Sequence, residues 1–177
     1  MAGPELTPVQ ELSAATALSL RSGLCALLKD VVDGGASVGF LPPLDGEEAG
    51  AYWDGVAAAL EGGGRRLWIA RDTDGGIVGS VQLDLAAQAN GGHRAEVIKL
   101  MVVGSARRRG IGRALMEAAE AEARTLGRTT LVLDTRQGDP SEALYRGIGW
   151  QPGGTIPRYA RSADGTLHTT AFYYKLL

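Results

Sequence analysis

The sequence predicts an α/β fold of the α+β type: a mixed, mostly antiparallel β-sheet with one central parallel pair of strands and helices on both faces. Two observations predict it. Apolar β-type runs flank Asp-Gly turns, which is typical of antiparallel hairpins. One strand is instead followed by an amphipathic helix and another strand, an order that makes a parallel βαβ unit. With 177 residues, the chain fits a single domain over residues 1–177.

The first predicted element is a long helix. Thr7 is a suitable cap, Pro8 follows in the first turn, and Gln10 stands three residues after the cap. These signals predict a helix that begins at Thr7 and runs to about Val32. Gly34 then stops it, because glycine readily adopts the conformation that ends a helix.

A second helix and a hairpin follow. Asp45 and Glu48 have the spacing of a capping pair, and the glycines at 62–64 end the helix. The runs RRLWIAR and IVGSVQLDL are joined through a turn at residues 74–76. They predict an antiparallel hairpin that supplies two strands of the sheet.

The βαβ unit occupies the middle of the chain. It follows a polar, glycine-rich loop at residues 86–93. RAEVIKLMVV predicts a strand, GIGRALMEAAEAEARTL an amphipathic helix ended by Gly127, and TTLVLDT the parallel strand. The helix should therefore cover one face of the sheet.

Two further elements complete the sheet and its cover. Asp139, Pro140 and Glu142 supply the cap, the first-turn proline and the third-position acid of a short helix that ends at Gly149. The tail from Trp150 onward predicts a closing hairpin, turned at residues 164–165.

Composition and charge favour a cytoplasmic protein without nucleic-acid or membrane partners. The sequence pI near 5.7 argues against general nucleic-acid binding. Residues 1–14 contain no basic residue and no apolar signal run, and no stretch of about 18 uncharged apolar residues occurs. The single cysteine, Cys25, has no metal-ligand spacing with His93 or His168, so we expect no metal.

One turn concentrates positive charge where a strand passes into a helix. Residues 107–113, RRRGIGR, contain four arginines and no acid. Gly110 and Gly112 lack side chains that would obstruct a ligand, and a helix N-terminus attracts anions through its free amides. The arginines add permanent charge around the same point. The pattern predicts a phosphate or pyrophosphate site, with a solvated basic helix start as the alternative.

Two other phosphate-binding motifs fit less well. A dinucleotide-binding loop would have a third glycine where this chain has Leu115, although Asp134 follows at a distance suited to a ribose hydroxyl. A P-loop would require Gly-Lys-Ser/Thr after the glycines, and the chain lacks it. A nucleotide-dependent oxidoreductase is therefore the lesser alternative among enzymes.

Two motifs resemble the GNAT superfamily of acyl-CoA-dependent N-acyltransferases. RRRGIG at 107–112 is similar to its Arg/Gln-x-x-Gly-x-Gly/Ala pyrophosphate loop, and SEALYRGIGW at 141–150 to its second signature, although Ser141 and Gly147 replace the common alanine and lysine. GGASVGF, LDT and ADGTLHTTAFYYK are further similar to tabtoxin-resistance acetyltransferases. The resemblance implies transfer of acetyl from acetyl-CoA to the primary amine of a small molecule, such as an amino-acid-like antimetabolite or antibiotic. Because Cys25, the single thiol, is remote in sequence from the cofactor motif, we expect direct attack in a ternary complex rather than an acetyl-cysteine route. The expected assembly is a monomer or homodimer.

Three side chains are candidates for the chemistry of such a transfer. An ammonium must lose a proton before it attacks, and the departing thiolate benefits from one. Glu96 lies on a strand and, by alternation, shares a face with Ile98 and Leu100, which should raise its pKa. Asp134 ends the parallel strand, near where ligands gather in such sheets. The resemblance implies that both acids are catalytic and that Tyr145 protonates the CoA sulfur.

A structural alternative applies to each of these groups. Glu96 can pair with Arg94 or Lys99, and Asp134 can simply cap a loop. Tyr145 can be an ordinary core residue, although Leu144 and Ile148 look like the buried stripe of its helix, which would leave the hydroxyl facing the site.

The expected cofactor site lies along the strand end, the arginine–glycine turn and the start of the short helix. Backbone groups near residue 101 should bind the thioester carbonyl and the extended pantetheine arm. The resemblance implies that the two parallel strands part near Val102 and Asp134 to admit this arm. The expected cofactor-binding residues are Met101, Val102, Val103, Arg107, Arg108, Arg109, Gly110, Ile111, Gly112, Arg113, Ala114 and Ser141.

The acceptor site is expected on loops. GGASVGF is a flexible glycine loop between the first two helices, and loops on a rigid scaffold often select substrate. Trp53 and Tyr159 are candidates for an aromatic wall and Arg158 for a carboxylate clamp. The expected substrate-binding residues are Gly35, Ser37, Phe40, Arg158 and Tyr159. A non-catalytic acyl-CoA-binding sensor is the alternative from another functional class.

Overall fold

The computed structural model describes residues 9–177, and its elements follow the predicted order. The helices and strands are β1 (Gln10–Glu11), α1 (Ala14–Ser19), α2 (Arg21–Asp33), α3 (Gly46–Glu61), β2 (Arg65–Arg71), β3 (Ile77–Leu85), β4 (Arg94–Val102), α4 (Ile111–Thr125), β5 (Thr130–Arg136), α5 (Ser141–Gly147), β6 (Gln151–Arg161) and β7 (Leu167–Leu176). The seven strands form one sheet in the order β1-β2-β3-β4-β5-β7-β6. The only parallel neighbours within this described sheet are β4 and β5, as predicted.

The predicted first helix is wrong in its first part. Thr7 and Pro8 lie outside the described residues. Gln10 does not enter a helix, because it pairs with Ile69 of β2 and forms the short edge strand β1. The helix begins after Ser13, whose hydroxyl accepts a hydrogen bond from the Thr16 amide at 3.2 Å. Pairing with a sheet edge thus overrode the local capping pattern.

The residues predicted to cap α3 and α5 form hydrogen bonds other than the predicted ones. Asp45 caps α3 by accepting from the Glu47 amide at 2.6 Å, rather than from that of Glu48. Asp139 does not cap α5, since its carboxylate pairs with Arg136. Glu142 instead accepts from the Gly138 amide at 2.6 Å and fixes the turn before the helix.

Helices cover both faces of the sheet, as predicted. Helix α4 packs against β2, β3 and β4 on one face, and its apolar stripe includes Leu115, Met116 and Ala119. Helices α2 and α3 pack on the other face, where Trp53 and Leu28 lie in a second apolar cluster. Burial of these two sets of side chains is the main force that fixes the layers.

The parallel strands separate early. Ladder pairing between β4 and β5 extends only from Arg94 opposite Thr130 to Glu96 opposite Val132. Beyond that point β4 continues to Val102 and β5 to Arg136 without further pairing. The strands therefore part closer to their beginnings than the resemblance implied. Beyond the last pair, the facing backbone groups of β4 and β5 are not bonded to each other, and this opening is called the gap below.

A β-bulge in β4 faces this gap. Lys99 and Leu100 of β4 together oppose the single residue Val81 of β3. Lys99 has a φ of 53°, which lies in the left-handed region that residues with side chains seldom adopt. The extra residue shifts the alternation of side chains along the second half of β4.

Candidate active site

Glu96 lies beside the point where the parallel strands part. It stands directly opposite Asp84 of β3. Burial raises the pKa of its carboxyl, and the negative charges of Asp134 and Asp84 raise it further. The prediction that Glu96 shares a face of the sheet with Leu100 is wrong. Leu100 packs with Val97 in the apolar cluster on the α4 side, because the bulge reverses the alternation of side chains after Ile98.

Asp134 approaches Glu96 from the other side of the gap. It lies near the end of β5, opposite Phe172 of β7. Burial raises the pKa of Asp134, while the positive charge of Lys99 acts against this shift. Within residues 9–177 neither acid forms an ion pair, so the alternative in which Glu96 binds Arg94 or Lys99 is not what the structure contains.

Lys99 enters the site through the bulge. Its ammonium lies 5.9 Å from the ring centre of Phe40 and 5.8 Å from that of Tyr52. Burial lowers the pKa of Lys99, and the charges of Asp134 and Glu96 oppose that change. Regular alternation would have directed this side chain away from Glu96, which is why the sequence did not single it out.

A polar network supports the two acids from the neighbouring strands. Arg65 of β2 holds Asp84 through two donors, at 2.9 and 3.0 Å, and also donates to Gln82 at 3.3 Å. The fully buried Gln82 donates to the Tyr52 hydroxyl at 2.9 Å. Sequence reasoning missed all four residues; period-two alternation of Gln82 and Asp84 in β3 was the available signal.

Tyr145 is placed deeper than predicted. Its ring packs against Trp150 and Tyr173 in the core, at centre distances of 6.4 and 5.9 Å, whereas Leu144 and Ile148 lie at the edge of that cluster. Burial raises the pKa of Tyr145 to about 12, and a hydrogen bond with the Ser141 side chain opposes the shift. A tyrosine with this pKa keeps its proton throughout the neutral range and is able to act as a donor.

The arginine–glycine turn has the backbone form of an anion site. Arg108 and Gly110 have φ values of 59° and 82°, and Gly110 stands at the N-cap of α4 without a side-chain cap. The amides at the start of α4 are therefore open to a ligand. Arg107, Arg108, Arg109 and Arg113 are exposed around this turn. Ile111 is buried and anchors it to the core.

The rest of the predicted cofactor surface is continuous with this turn. Met101 is buried, Val102 and Val103 are partly buried, and their backbone follows the free edge of β4 beyond the last parallel pair. Ser141 starts α5 and shares a hydrogen bond of 3.0 Å with Thr135 of β5. Gly112 leaves little room, because an added Cβ would lie 3.2 Å from Leu144.

The predicted acceptor loop reaches the same edge of the sheet. The carbonyl of Gly35 accepts from Arg136 at the end of β5, at 3.2 Å. Ser37 is exposed, and Phe40 lies edge-on against Tyr52 at 5.3 Å. Trp53 is not part of the wall, since it is buried in the core with 2% exposure; its neighbour Tyr52 takes that place.

The opposite wall comes from the last hairpin. Three residues of β6, ending at Tyr159, bulge out against one residue of β7. Tyr159 is half exposed and packs edge-on against Phe172 at 5.5 Å, and Phe172 in turn stands opposite Asp134. Arg158 is exposed with a φ of 57° and lies at the outer side of this bulge.

Comparison with known proteins agrees with this geometry. A model of the Acetyltransferase (GNAT) family matches residues 36–150. The chain belongs to the GNAT family. This GNAT chain is also 37% identical over 116 residues, 64% of its own length and 67% of the relative's, to an uncharacterized N-acetyltransferase from the hisH-hisA intergenic region of Azospirillum brasilense.

Solved GNAT structures share the fold. A phosphinothricin acetyltransferase from Sinorhizobium meliloti in complex with acetyl-CoA has a TM-score of 0.77 at 22% identity, covering 97% of this chain and 88% of that one. A ribosomal-protein-alanine N-acetyltransferase from Brucella melitensis also has a TM-score of 0.77 at 22% identity, covering 96% and 99%. The GNAT chain described here is thus an acetyl-CoA-dependent N-acetyltransferase with the family's mixed sheet.

The family match and the described residues bear on the oxidoreductase, metal and membrane alternatives. Membership of the GNAT family removes the reason for a nucleotide-dependent oxidoreductase. Among the described residues, no group of three or more His, Cys, Asp or Glu side chains is placed to hold a metal ion. No helix in that part of the chain is both long and apolar enough to cross a bilayer.

Proposed function

We propose that this GNAT protein acetylates the primary amine of a small, amino-acid-like molecule by direct attack within a ternary complex. The observation that carries the proposal is the pair of carboxylates of Glu96 and Asp134. The pKa values of both are raised, and the charge of Asp134 acts on Glu96 beside the point where β4 and β5 part. Acetyl-CoA would enter the same gap from the turn at Gly110.

The acids act before the acyl transfer. A carboxylate with a raised pKa is a better match for an amine's proton than an ordinary exposed one. Glu96 and Asp134 share the deprotonation of the acceptor ammonium through an ordered water. The free amine then attacks the thioester carbonyl, whose developing negative charge is bound by backbone amides near Met101.

The cofactor is held mainly by the backbone. The amides that begin α4 bind the pyrophosphate, with the exposed arginines at 107–109 and Arg113 adding charge, and the free edge of β4 pairs with the pantetheine arm. Ser141 and the start of α5 close the other side of the arm. Tyr145 then protonates the leaving thiolate from beneath this surface.

The acceptor lies between two aromatic walls. Phe40 and Tyr52 form one, and Tyr159 with Phe172 forms the other. Gly35 and Ser37 border the first wall, and Arg158 the second. The phosphinothricin acetyltransferases among the structural neighbours, and the resemblance to tabtoxin-resistance enzymes, support an amino-acid-like antimetabolite or antibiotic as acceptor in the cytoplasm.

A thiol-release assay tests the proposal. The purified chain is mixed with acetyl-CoA and a panel of amino acids, phosphinothricin, simple alkylamines and an alanine-terminated peptide, and free CoA is measured over time. We expect release with small acceptors and loss of it in the double variant Glu96→Gln/Asp134→Asn. Binding of acetyl-CoA without release for any amine would instead identify a non-catalytic sensor, and release with the peptide alone would refute a small-molecule acceptor.

A further inference from the structure

We propose that Lys99 binds the acceptor's carboxylate, so that the enzyme selects amino acids over amines that lack an acidic group. This inference rests on the proposed function and names the group that selects its substrate. The sequence suggested Arg158 for that task. Three observations point to Lys99 instead: its missing partner, its position in the bulge and the distribution of charge around it.

The ammonium of Lys99 lies against two aromatic rings and makes no direct ion pair with the described residues, although the charges of Asp134 and Glu96 act on it. It lies 5.9 and 5.8 Å from the ring centres of Phe40 and Tyr52, within range of a favourable cation–π contact with both. Within residues 9–177 it forms no ion pair, and no side chain shares a hydrogen bond with it. A partly buried ammonium without an anion is a receptor for one that a ligand brings.

The backbone is shaped to present this side chain. Lys99 is the extra residue of the bulge and takes a φ of 53°, a left-handed conformation that residues with side chains seldom adopt. The bulge turns Lys99 to the same side of the sheet as Glu96. The acceptor loop closes over it, since an added Cβ on Gly39 would lie 3.3 Å from the Lys99 nitrogen.

The charges around Lys99 match an amino-acid zwitterion. Glu96 and Asp134 supply the negative side, which suits an ammonium group. The other cations nearby are occupied: Arg65 holds Asp84, and Arg136 contacts the Gly35 carbonyl and Asp139. Lys99 is therefore the cation left to bind a carboxylate placed next to the reacting amine.

Arg158 fits the role less well. It is exposed within the β6 bulge. A guanidinium in contact with solvent contributes little to the binding of an anion, because water screens the interaction. Lys99 lies on a partly buried aromatic surface, where the same charge acts more strongly.

Paired acceptors and one substitution test the proposal. The best amino-acid acceptor of the wild-type enzyme is compared with its own carboxamide, which keeps the amine and the side chain but loses the negative charge. Lys99→Met removes the cation at similar volume. We expect KM for the amino acid to rise by about 10–100-fold, the range of a charged hydrogen bond. Because Lys99 also holds down the pKa values of Asp134 and Glu96, kcat is compared on the pH plateau of each variant, where kcat and KM for acetyl-CoA should change by no more than about twofold.

The carboxamide separates a role in binding from a structural or electrostatic one. Its KM should be the same in the wild type and in Lys99→Met, and Lys99→Arg should restore part of the preference for the acid. Arg161→Gln, which removes an exposed cation on β6, is the matched control and should leave both values unchanged. A circular-dichroism melting curve of each variant verifies that it is folded.

The possible failures are distinguishable. Equal losses for acid and carboxamide in Lys99→Met would overturn the inference, since they would mean that Lys99 acts on Glu96 or Asp134 rather than on the acceptor. Equal use of the two acceptors by the wild type would also overturn it and leave the proposed function intact. A wild type that acetylates no small amine would refute both.

Discussion

At the scale of single residues, the chemistry depends on how burial changes three acidic protons. Burial raises the pKa of Glu96, Asp134 and Tyr145, but the consequences differ. For the carboxyls, the shift makes the unprotonated form a stronger base. For the tyrosine, whose pKa rises to about 12, it keeps the donor protonated. In the proposed mechanism, the same physical effect therefore suits the two carboxyls to act as bases and the tyrosine to act as an acid.

Tyr145→Phe tests the donor role. We expect kcat to fall by about ten to several hundredfold, with KM for acetyl-CoA nearly unchanged, because the hydroxyl acts on the leaving thiolate rather than in ground-state binding. Steady-state kinetics measure both values. Tyr173→Phe, which removes a hydroxyl from the neighbouring ring of the same cluster, is the control and should affect stability rather than kcat. An unchanged kcat in Tyr145→Phe would remove the general-acid assignment.

Asp134→Asn tests the electrostatic coupling of the acids. A base acts only when unprotonated, so kcat/KM falls as the pH drops through its pKa. The charge of Asp134 raises the pKa of Glu96, so its removal lowers that pKa and moves the acidic limb of the residual activity to lower pH. A pH profile of kcat/KM measures the shift, with Glu61→Gln as an exposed-acid control. A limb that stays in place would show that the acids are uncoupled.

At the scale of elements, the start of α4 and the bulge of β4 use the same left-handed backbone conformation for different purposes. The helix start needs free amides that point in one direction, and Gly110 provides this through a φ of 82°. In the bulge, the φ of 53° at Lys99 directs its side chain to the side of the sheet that regular alternation would not give it. The first is visible as a glycine in a motif. The second is not, because a bulge depends on the partner strand.

Gly110→Ala tests the helix start. Alanine in the left-handed region costs about 1–2 kcal/mol, so the free energy of unfolding should fall by about that amount. Rotation of the following amides should also weaken CoA binding by about tenfold or more, measured by isothermal titration. Gly165→Ala is the matched control, because its φ of 85° gives the same strain in the β6–β7 turn. Equal CoA affinity in both variants would contradict a backbone-held pyrophosphate.

At the scale of the whole molecule, one buried carboxylate connects helix α4 to the β6–β7 hairpin. Glu120 of α4 is 5% exposed and accepts from the Trp150 indole at 2.8 Å and from the Lys175 ammonium at 2.7 Å. Lys175 also donates to the Ile148 carbonyl. These contacts therefore connect α4 to β7 and to the segment just before β6.

Lys175→Met tests the importance of this connection. It leaves a buried carboxylate without its main cation, so the free energy of unfolding should fall by about 3 kcal/mol in urea titrations. Arg21→Met is the control, because its pair with Asp54 is exposed and should contribute far less to the free energy of unfolding. Similar losses in the two variants would show that burial of Glu120 does not matter.

The sequence alone determined the order of the elements, the parallel pair and the arginine–glycine turn. These follow from periodicity, turn residues and helix ends, which depend on neighbours within a few positions. It also located Glu96, Asp134 and Tyr145, through their places in motifs and at strand ends. Local reasoning failed at the first short strand, because Gln10 pairs with the edge of β2. It also failed at the caps of α3 and α5, where Asp45 and Glu142 accept from amides other than those predicted.

The tertiary structure decided the rest of the site. The early parting of β4 and β5, the turn of Lys99 toward the acids and the choice of Tyr52 over Trp53 for the aromatic wall depend on strand register and layer packing. These properties arise between segments that are distant in the chain, so no window of sequence contains them. A one-residue bulge reverses every later side chain of a strand, and this is why the direction of Lys99 could not be predicted from alternation.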